Sequence, residues 1–405
     1  MTDRAIPPPP RRLIVQHLEG GSDLHRLAPG EAVEPLRAAR AVGMTDACLG
    51  WRLPQRLVDA VFAWRDAEAP DVRLWLWHPL LAGDGAWEPG PDGAIGADGR
   101  PVPAFRGMPE FSFACPVREG VLAAALARLS DALATAAWDG VFLDKIRWPS
   151  PAPEPARHLA CFCSACAERA GDDAAIDLGS VALFVAGLDT TPAGRRRLLR
   201  ALAGLEIDDG LRSFLAWRGG VITAVVREAA SAVRDTGRAV ALDVFAPSLA
   251  PLVGQEIGRL APLAEWVKAM CYTATLGPAG MAFELLDLAG WLGEAGIRSP
   301  SSLLSETFGY PVPVPARLRR HGLGPRALAV EIDRLRALAG PAAAVGLELV
   351  EIPGIAELDA AALGRRIRFV RRAALPLVVS WDLRHVPPDR LALLRRPTPR
   401  PGDRP

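Results

Sequence analysis

The chain has 405 residues, half of them hydrophobic and 23% charged, with a formal net charge of +1. That is an ordinary globular composition with ample apolar material for a core. The near-zero net charge gives no overall field toward nucleic acid or an anionic membrane, so neither is expected as a partner. No apolar run reaches the roughly 18 residues of a spanning helix.

Residues 1–12 are polar and proline-rich and read as a disordered N-terminal lead without the apolar stretch of a secretory signal. From there, short apolar or β-branched runs alternate with alanine- and leucine-rich stretches of helical character. The runs are Leu13–Leu18, Asp46–Trp51, Val72–Trp77, Gly140–Asp144, Ala239–Asp243, Trp266–Tyr272, Ala344–Glu348 and Leu377–Trp381. Helices are predicted at Ala32–Ala41, Arg56–Ala67, Glu119–Ala137, Ser213–Arg234, Ala279–Gly293, Arg326–Leu338 and Ala360–Arg372. Residues 396–405 read as a flexible tail.

Strand alternating with helix implies a parallel sheet covered on both faces. Eight such units point to closure, which gives the α/β class and a (β/α)8 TIM barrel over residues 13–395. The length alone would allow two or three domains, but barrels of this type run to over about 400 residues with insertions. Long insertions are expected after strands 3, 4 and 6, at 80–110, 147–210 and 298–325, where they would wall one end of the barrel. No GxGxxG or P-loop pattern follows the first strand, which weighs against a nucleotide.

Gly140–Asp144, Ala239–Asp243 and Ala344–Glu348 share one pattern, in which Val and Leu alternate with other residues before a final acid. Side chains alternate across a strand, so Ala239 and Ala241 share a face with Asp243, and Ala344 and Gly346 with Glu348. Small residues suit the crowded barrel interior, and the acids then point inward at the C-terminal mouth, where barrel enzymes place their chemistry. Asp144, Glu348 and Asp243 are therefore the candidate catalytic residues. The competing explanation for each acid is a structural pair with arginine or a helix cap. Other strand-end groups expected at the mouth are Gln16, His17, Glu19, Trp51, Arg52, Trp77, His78, Lys145, Arg147, Tyr272, Glu351, Trp381 and Asp382. Carboxylates among aromatic platforms suit a sugar, whose C–H faces stack on rings while its hydroxyls bond acids. Core packing is the alternative for each tryptophan.

Six cysteines in a chain this long do not make a disulfide scaffold, so a reducing cytoplasm is the expected location. Cys161, Cys163 and Cys166 lie within six residues. With Cys115 as the fourth ligand, or His158 in its place, they form a candidate structural zinc site. Cys48 and Cys271 fall inside predicted strands and read as small buried hydrophobes.

The segment from Asp139 to Ser150, followed by Cys161-Phe-Cys163-Ser-Ala-Cys166, resembles glycoside hydrolase barrels and their hydrolase-like relatives. The zinc-containing β-galactosidases have one cysteine before strand four and a Cys-x-Cys-x-x-Cys run after it, as here. Asp243–Gly254, Trp266–Tyr272 and Gly277–Gly280 look similar to hydrolase-like barrels. The resemblance spans about residues 110–385. It implies a glycosidase acting through two carboxylates, with a carbohydrate substrate and a zinc. Those β-galactosidases end strand four in Asn-Glu, whereas this chain has Leu143-Asp144. Their strand-seven nucleophile would correspond to Glu348 or, in a shifted register, Glu351. An aspartate on strand four instead resembles the α-glycosidase barrels, where it is the nucleophile. Two other readings stand beside this one: a non-catalytic carbohydrate-binding barrel, and a hydrolase that works through the cysteine-bound zinc. The sugar, the stereochemical outcome and assembly into a homo-oligomer are left open.

Overall fold

The computed structural model describes residues 12–20, 22–84, 87–205 and 209–395. The expected lead and tail lie outside these residues, apart from Arg12. Eight parallel strands close in sequence order into a barrel: β1 Leu13–His17, β2 Asp46–Leu49, β3 Arg73–Pro79, β4 Gly140–Asp144, β5 Ala239–Phe245, β6 Trp266–Met270, β7 Ala343–Glu348 and β8 Leu377–Ser380. β8 pairs with β1 through Leu13 opposite Leu377, and β7 with β8 through Glu348 opposite Ser380. The fold is thus the (β/α)8 barrel expected from the alternating pattern.

All eight strands occur where the apolar runs predict them, and their ends shift by a few residues. β2 stops at Leu49 because the chain crowds at Gly50, where a Cβ would lie 1.9 Å from the Leu18 carbonyl oxygen. Helices span Pro29–Ala41, Gln55–Glu68, Val121–Leu133, Asp209–Asp235, Met281–Glu294, Pro325–Ala339 and Ala360–Arg372. Glycine delays the third of these: Gly120, at φ +74°, turns the chain before Val121. Between β4 and the long helix at Asp209–Asp235, four further helices occur among the described residues, at Pro155–His158, Ser164–Ala174, Leu178–Asp189 and Pro192–Leu202. Among the described residues, no helix is long and apolar enough to cross a membrane.

Alternation divides the strands into two sets. Val141, Leu143, Val240, Leu242 and Val345 pack outward in the barrel–helix core. Ile14, Cys48, Trp75, Phe142, Ala241, Trp266, Ala344 and Val378 fill the interior. Trp266 carries this inner layer, stacked on Phe142 at 5.1 Å and edge-on to Trp75 at 5.3 Å. Small partners make room: a Cβ at Gly140 would lie 2.4 Å from the Trp75 ring.

Below this layer, the N-terminal mouth is closed by paired charges. The Arg12 guanidinium bonds both Asp46 and Glu265, the latter at 2.7 Å, and Arg73 bonds Glu265 at 2.7 and 3.0 Å. Asp46 also accepts Trp75 Nε1–H at 2.9 Å. Every acid here has a cation or an N–H donor.

Candidate active site

The opposite mouth holds a cavity of about 370 Å³. Its floor begins one layer above Trp266. Lys268 of β6 is fully buried and spans the barrel, donating to Asp243 Oδ2 at 2.8 Å and to Gln16 Oε1 at 2.6 Å. It fits only because β7 has a glycine there: a Cβ on Gly346 would lie 2.6 Å from Lys268 Cε. Ser380 also donates to Gln16 Oε1, at 2.8 Å. Lysine cannot accept, so it fixes the amide with Nε2 turned away. Gln16 Nε2 and Asp243 Oδ1 are left without a partner, and both residues line the cavity. A buried donor and acceptor left open on one floor call for an explanation, and a ligand hydroxyl supplies one.

Asp144, at the end of β4, lines the same cavity. Its oxygens accept Trp77 Nε1–H at 3.0 Å and the Lys145 backbone N–H at 2.5 Å. The second bond depends on Lys145 adopting φ +54°. Leu18 after β1 and Arg52 after β2 share that left-handed conformation, each at φ +56°. Such strain in non-glycine residues gathers where a site must be held in one geometry. Lys145 reaches on to donate its Nζ to the Glu110 carbonyl at 2.5 Å, and that ammonium lies 4.6 Å from the Phe111 ring centre and 5.4 Å from that of Trp51.

Glu19 supplies a third acid, half-buried just beyond β1. Burial pushes its carboxyl up to about 8, with Asp382, Asp144 and Glu110 adding to the rise and Lys145 opposing it. Burial likewise pushes Asp243 up to about 7; Lys268 opposes this and Asp144 reinforces it. Arg147, stacked between Phe113 and Phe245 at 4.3 and 4.6 Å, is lowered to about 10 by burial. Trp51, Trp77, Tyr272 and Trp381 complete the walls expected from the strand ends. Trp51 meets Trp77 edge-on at 5.1 Å, and Tyr272 leans on Trp381 at 6.0 Å.

Six other expected site residues are placed outside the cavity lining. Glu348 turns its carboxylate to the loop after β6, accepting Ala274 N–H at 2.8 Å and the Thr273 hydroxyl at 3.3 Å. Asp382 accepts the backbone N–H groups of Leu18, Glu19 and Arg384, together with the Arg384 guanidinium. Burial opposes its ionisation, yet His17 and Arg384 hold it well below the usual carboxylate range. It fastens the end of β1 to the end of β8. His17 donates Nε2–H to the Ala32 carbonyl at 2.7 Å and sets Nδ1 3.4 Å from Asp382. His78 is buried, and burial lowers it to about 4. Arg52 donates to the Asp84 carbonyl at 2.9 Å, and exposed Glu351 pairs with Arg390 at 3.2 Å.

The cavity also has walls that the strand ends do not announce. Phe105, Met108, Glu110 and Phe111 come from the segment after β3, Thr275 and Leu276 from that after β6, and Ile352 and Ile355 from that after β7. Gln16, expected at the mouth with the end of the first strand, does line the cavity, because alternation puts it on the face of Ile14.

Apart from the cavity, Cys115, Cys161, Cys163 and Cys166 bring their sulfurs within 4.8 Å of one another, all buried, and this set could hold a metal ion. Cys115 Sγ lies 3.7 Å from Cys163 Sγ and 3.3 Å from Cys166 Sγ. Sulfurs around a tetrahedral zinc stand about 3.8 Å apart, given bonds of about 2.3 Å, so the donor set fits. Hydrogen bonding among the thiols lowers Cys161 and Cys163 and raises Cys115 and Cys166. A cation would remove that conflict. The cluster laces two segments together: Ile95 N–H donates to Cys161 Sγ at 3.3 Å, and Phe162 N–H to the Ile95 carbonyl at 2.9 Å.

No family model and no curated protein sequence matches the chain. Solved structures do. The glycoside hydrolase domain of PgaB (BpsB) from Bordetella bronchiseptica superposes with a TM-score of 0.54 at 13% identity, covering 95% of this chain and 98% of that one. A chitinase from Chromobacterium violaceum gives 0.47 at 8% identity, and a class V chitinase from Pseudomonas fluorescens 0.42 at 10%, each covering 95% of this chain and 98% of the other. At such identities the likeness is one of fold, and the chain has a barrel of the kind on which glycoside hydrolases are built.

Proposed function

We propose that the protein is a glycoside hydrolase and that its reaction centre is the cavity at the C-terminal mouth. The observation that carries this reading is the convergence of Glu19, Asp144 and Asp243 on one aromatic-walled cavity whose floor leaves Gln16 Nε2 and Asp243 Oδ1 open. A sugar satisfies both demands: its hydroxyls take the open donor and acceptor, and its C–H faces take the indole rings.

Two-carboxylate hydrolysis needs one carboxylate facing the anomeric carbon and one acid that still carries its proton. Asp144 is the carboxylate, because Trp77 and Lys145 hold both its oxygens as acceptors. Glu19 is the acid, kept protonated near neutrality at the cavity rim. Asp243 binds and orients a hydroxyl from the floor while Lys268 holds it in place. The glycosidic C–O bond breaks, its electron pair stays on the departing oxygen, and Glu19 supplies the proton. The Asp144 carboxylate stabilises the positive charge left at the anomeric carbon, a water oxygen then bonds to that carbon, and the proton that water gives up returns to the Glu19 carboxylate, restoring the acid.

The four thiols hold a structural zinc on this reading, in keeping with the resemblance of the cysteine spacing to the zinc-containing β-galactosidases. Four sulfurs complete a tetrahedral shell, so no coordination position remains for hydrolytic water. The test is a panel of oligosaccharides and synthetic glycosides offered to the wild type and to Asp144→Asn, Glu19→Gln and Asp243→Asn. Loss of turnover in the first two, with native melting behaviour, supports the assignment. Turnover unchanged in all three would sink it. Elemental analysis of the purified protein should find about one zinc per chain, and none in Cys163→Ser/Cys166→Ser.

A further inference from the structure

A second cavity of about 170 Å³ adjoins the first, and Phe105, Phe111, Arg147 and Pro278 line both. Its own walls include Val102, Pro103, Ala104, Phe113, Pro149 and Phe283. Phe105 stands at the centre of this aromatic face, edge-on to Phe111 at 5.8 Å and to Phe283 at 5.2 Å. Of the polar groups on the walls, His158 stands 3.9 Å from Glu154, and Ser150, Glu284 and Arg147 are committed. Ser150 donates to Glu284 Oε2 at 2.5 Å, and the other Glu284 oxygen accepts Ala279 N–H at 2.9 Å. Arg147 donates Nη1–H to the Trp148 carbonyl at 3.1 Å and presses its guanidinium face on Phe113.

We infer that this second cavity receives the leaving group of the substrate, and that this group is a single apolar ring, so the substrate class is an aryl glycoside. The inference rests on the glycosidase reading of the adjoining site. The volume matches the ligand: an apolar protein cavity of about 150 Å³ takes up benzene. A second sugar fits poorly, because its hydroxyls would mostly face proline and phenylalanine side chains and lose water without gaining a partner. Phe105, Phe111, Arg147 and Pro278 wall both cavities, so a ring in the second stays joined to a sugar in the first, and the inference assigns it to the leaving side of the scissile bond.

Phe283 and Ala104 line the second cavity and not the first, so they separate the two ideas. Binding of phenol to the intact protein is measured calorimetrically for the wild type, Phe283→Ala and Ala104→Trp, with melting curves as folding controls. Wild type should bind one phenol per chain. Phe283→Ala should weaken it by about tenfold, the scale of an apolar pocket contact, and Ala104→Trp, which fills the space from a half-buried loop position, should abolish it. In parallel, the ratio of kcat/KM for a phenyl over a methyl glycoside of the same sugar should fall about tenfold in both variants. No phenol binding, or equal binding in all three proteins, overturns the inference even where glycosides are cleaved. Phenol binding that Phe283→Ala weakens and Ala104→Trp abolishes, in a protein that cleaves no glycoside, leaves the ring pocket standing and removes the glycosidase reading instead.

Discussion

The two ends of this barrel use the same residue types to opposite ends. At the N-terminal mouth, Asp46 and Glu265 are saturated by Arg12, Arg73 and the Trp75 indole. At the C-terminal mouth, half-buried Glu19 and buried Asp243 have less compensation than they need, and both are pushed toward the neutral form. Fully paired charges hold a structure shut. Under-paired ones keep protons and open hydrogen-bonding positions available, at a cost in stability.

The largest effect expected from breaking this contrast is catalytic. Asp144→Asn should lower kcat by about 10²–10⁴-fold, the usual contribution of an acid–base or nucleophilic carboxylate, with an unchanged melting temperature. Asp46→Ala should do the reverse. It leaves Arg12 to Glu265 alone and the buried Trp75 N–H without an acceptor, so chemical denaturation should show a loss of about 1–3 kcal/mol while kcat stays within twofold. The third expectation concerns pH. The folded-state pKa of Asp243 is raised from the ordinary 3.8 to about 7. The folded state therefore holds that proton where the unfolded chain has released it. The stability tied to it is complete below about pH 4 and is lost as pH rises through about 7. Asp243→Asn should flatten this fall in melting temperature. The activity of the wild type should also decline above about pH 8 as Glu19 ionises, a limb that Glu19→Gln would remove along with turnover. The smallest effect belongs to exposed Glu351: Glu351→Gln should change neither stability nor kcat/KM measurably, because its partner Arg390 keeps the Val350 and Leu358 carbonyls and an ion pair with an exposed acid contributes about 0–1 kcal/mol.

The barrel was legible because its signal is repeated and local. Eight apolar runs, with Gly140 making room for Trp75 and Gly346 for Lys268, specify both closure and the inward face. Asp144 and Asp243 follow from that alternation alone. Glu348 carries the same local pattern, yet its carboxylate meets Ala274 and Thr273 from the loop after β6, a contact that period-two reasoning does not contain. Asp382 is similar: nothing next to it in the chain announces that the backbone at Leu18 and Glu19 will bind it. The aromatic cap was hidden for another reason. Phe105 and Phe111 sit in an irregular segment without periodicity, so their position depends wholly on what the segment packs against.

That segment is fastened in an unusual way. Cys115 and Ile95, which precede β4, are joined to Cys161, Phe162, Cys163 and Cys166, which follow it. The two long loops are laced to one another across the strand that carries Asp144. They can therefore be exchanged only as a matched pair. A relative that altered one alone would break the lacing, whereas one that replaced both could acquire a new cap over an untouched barrel.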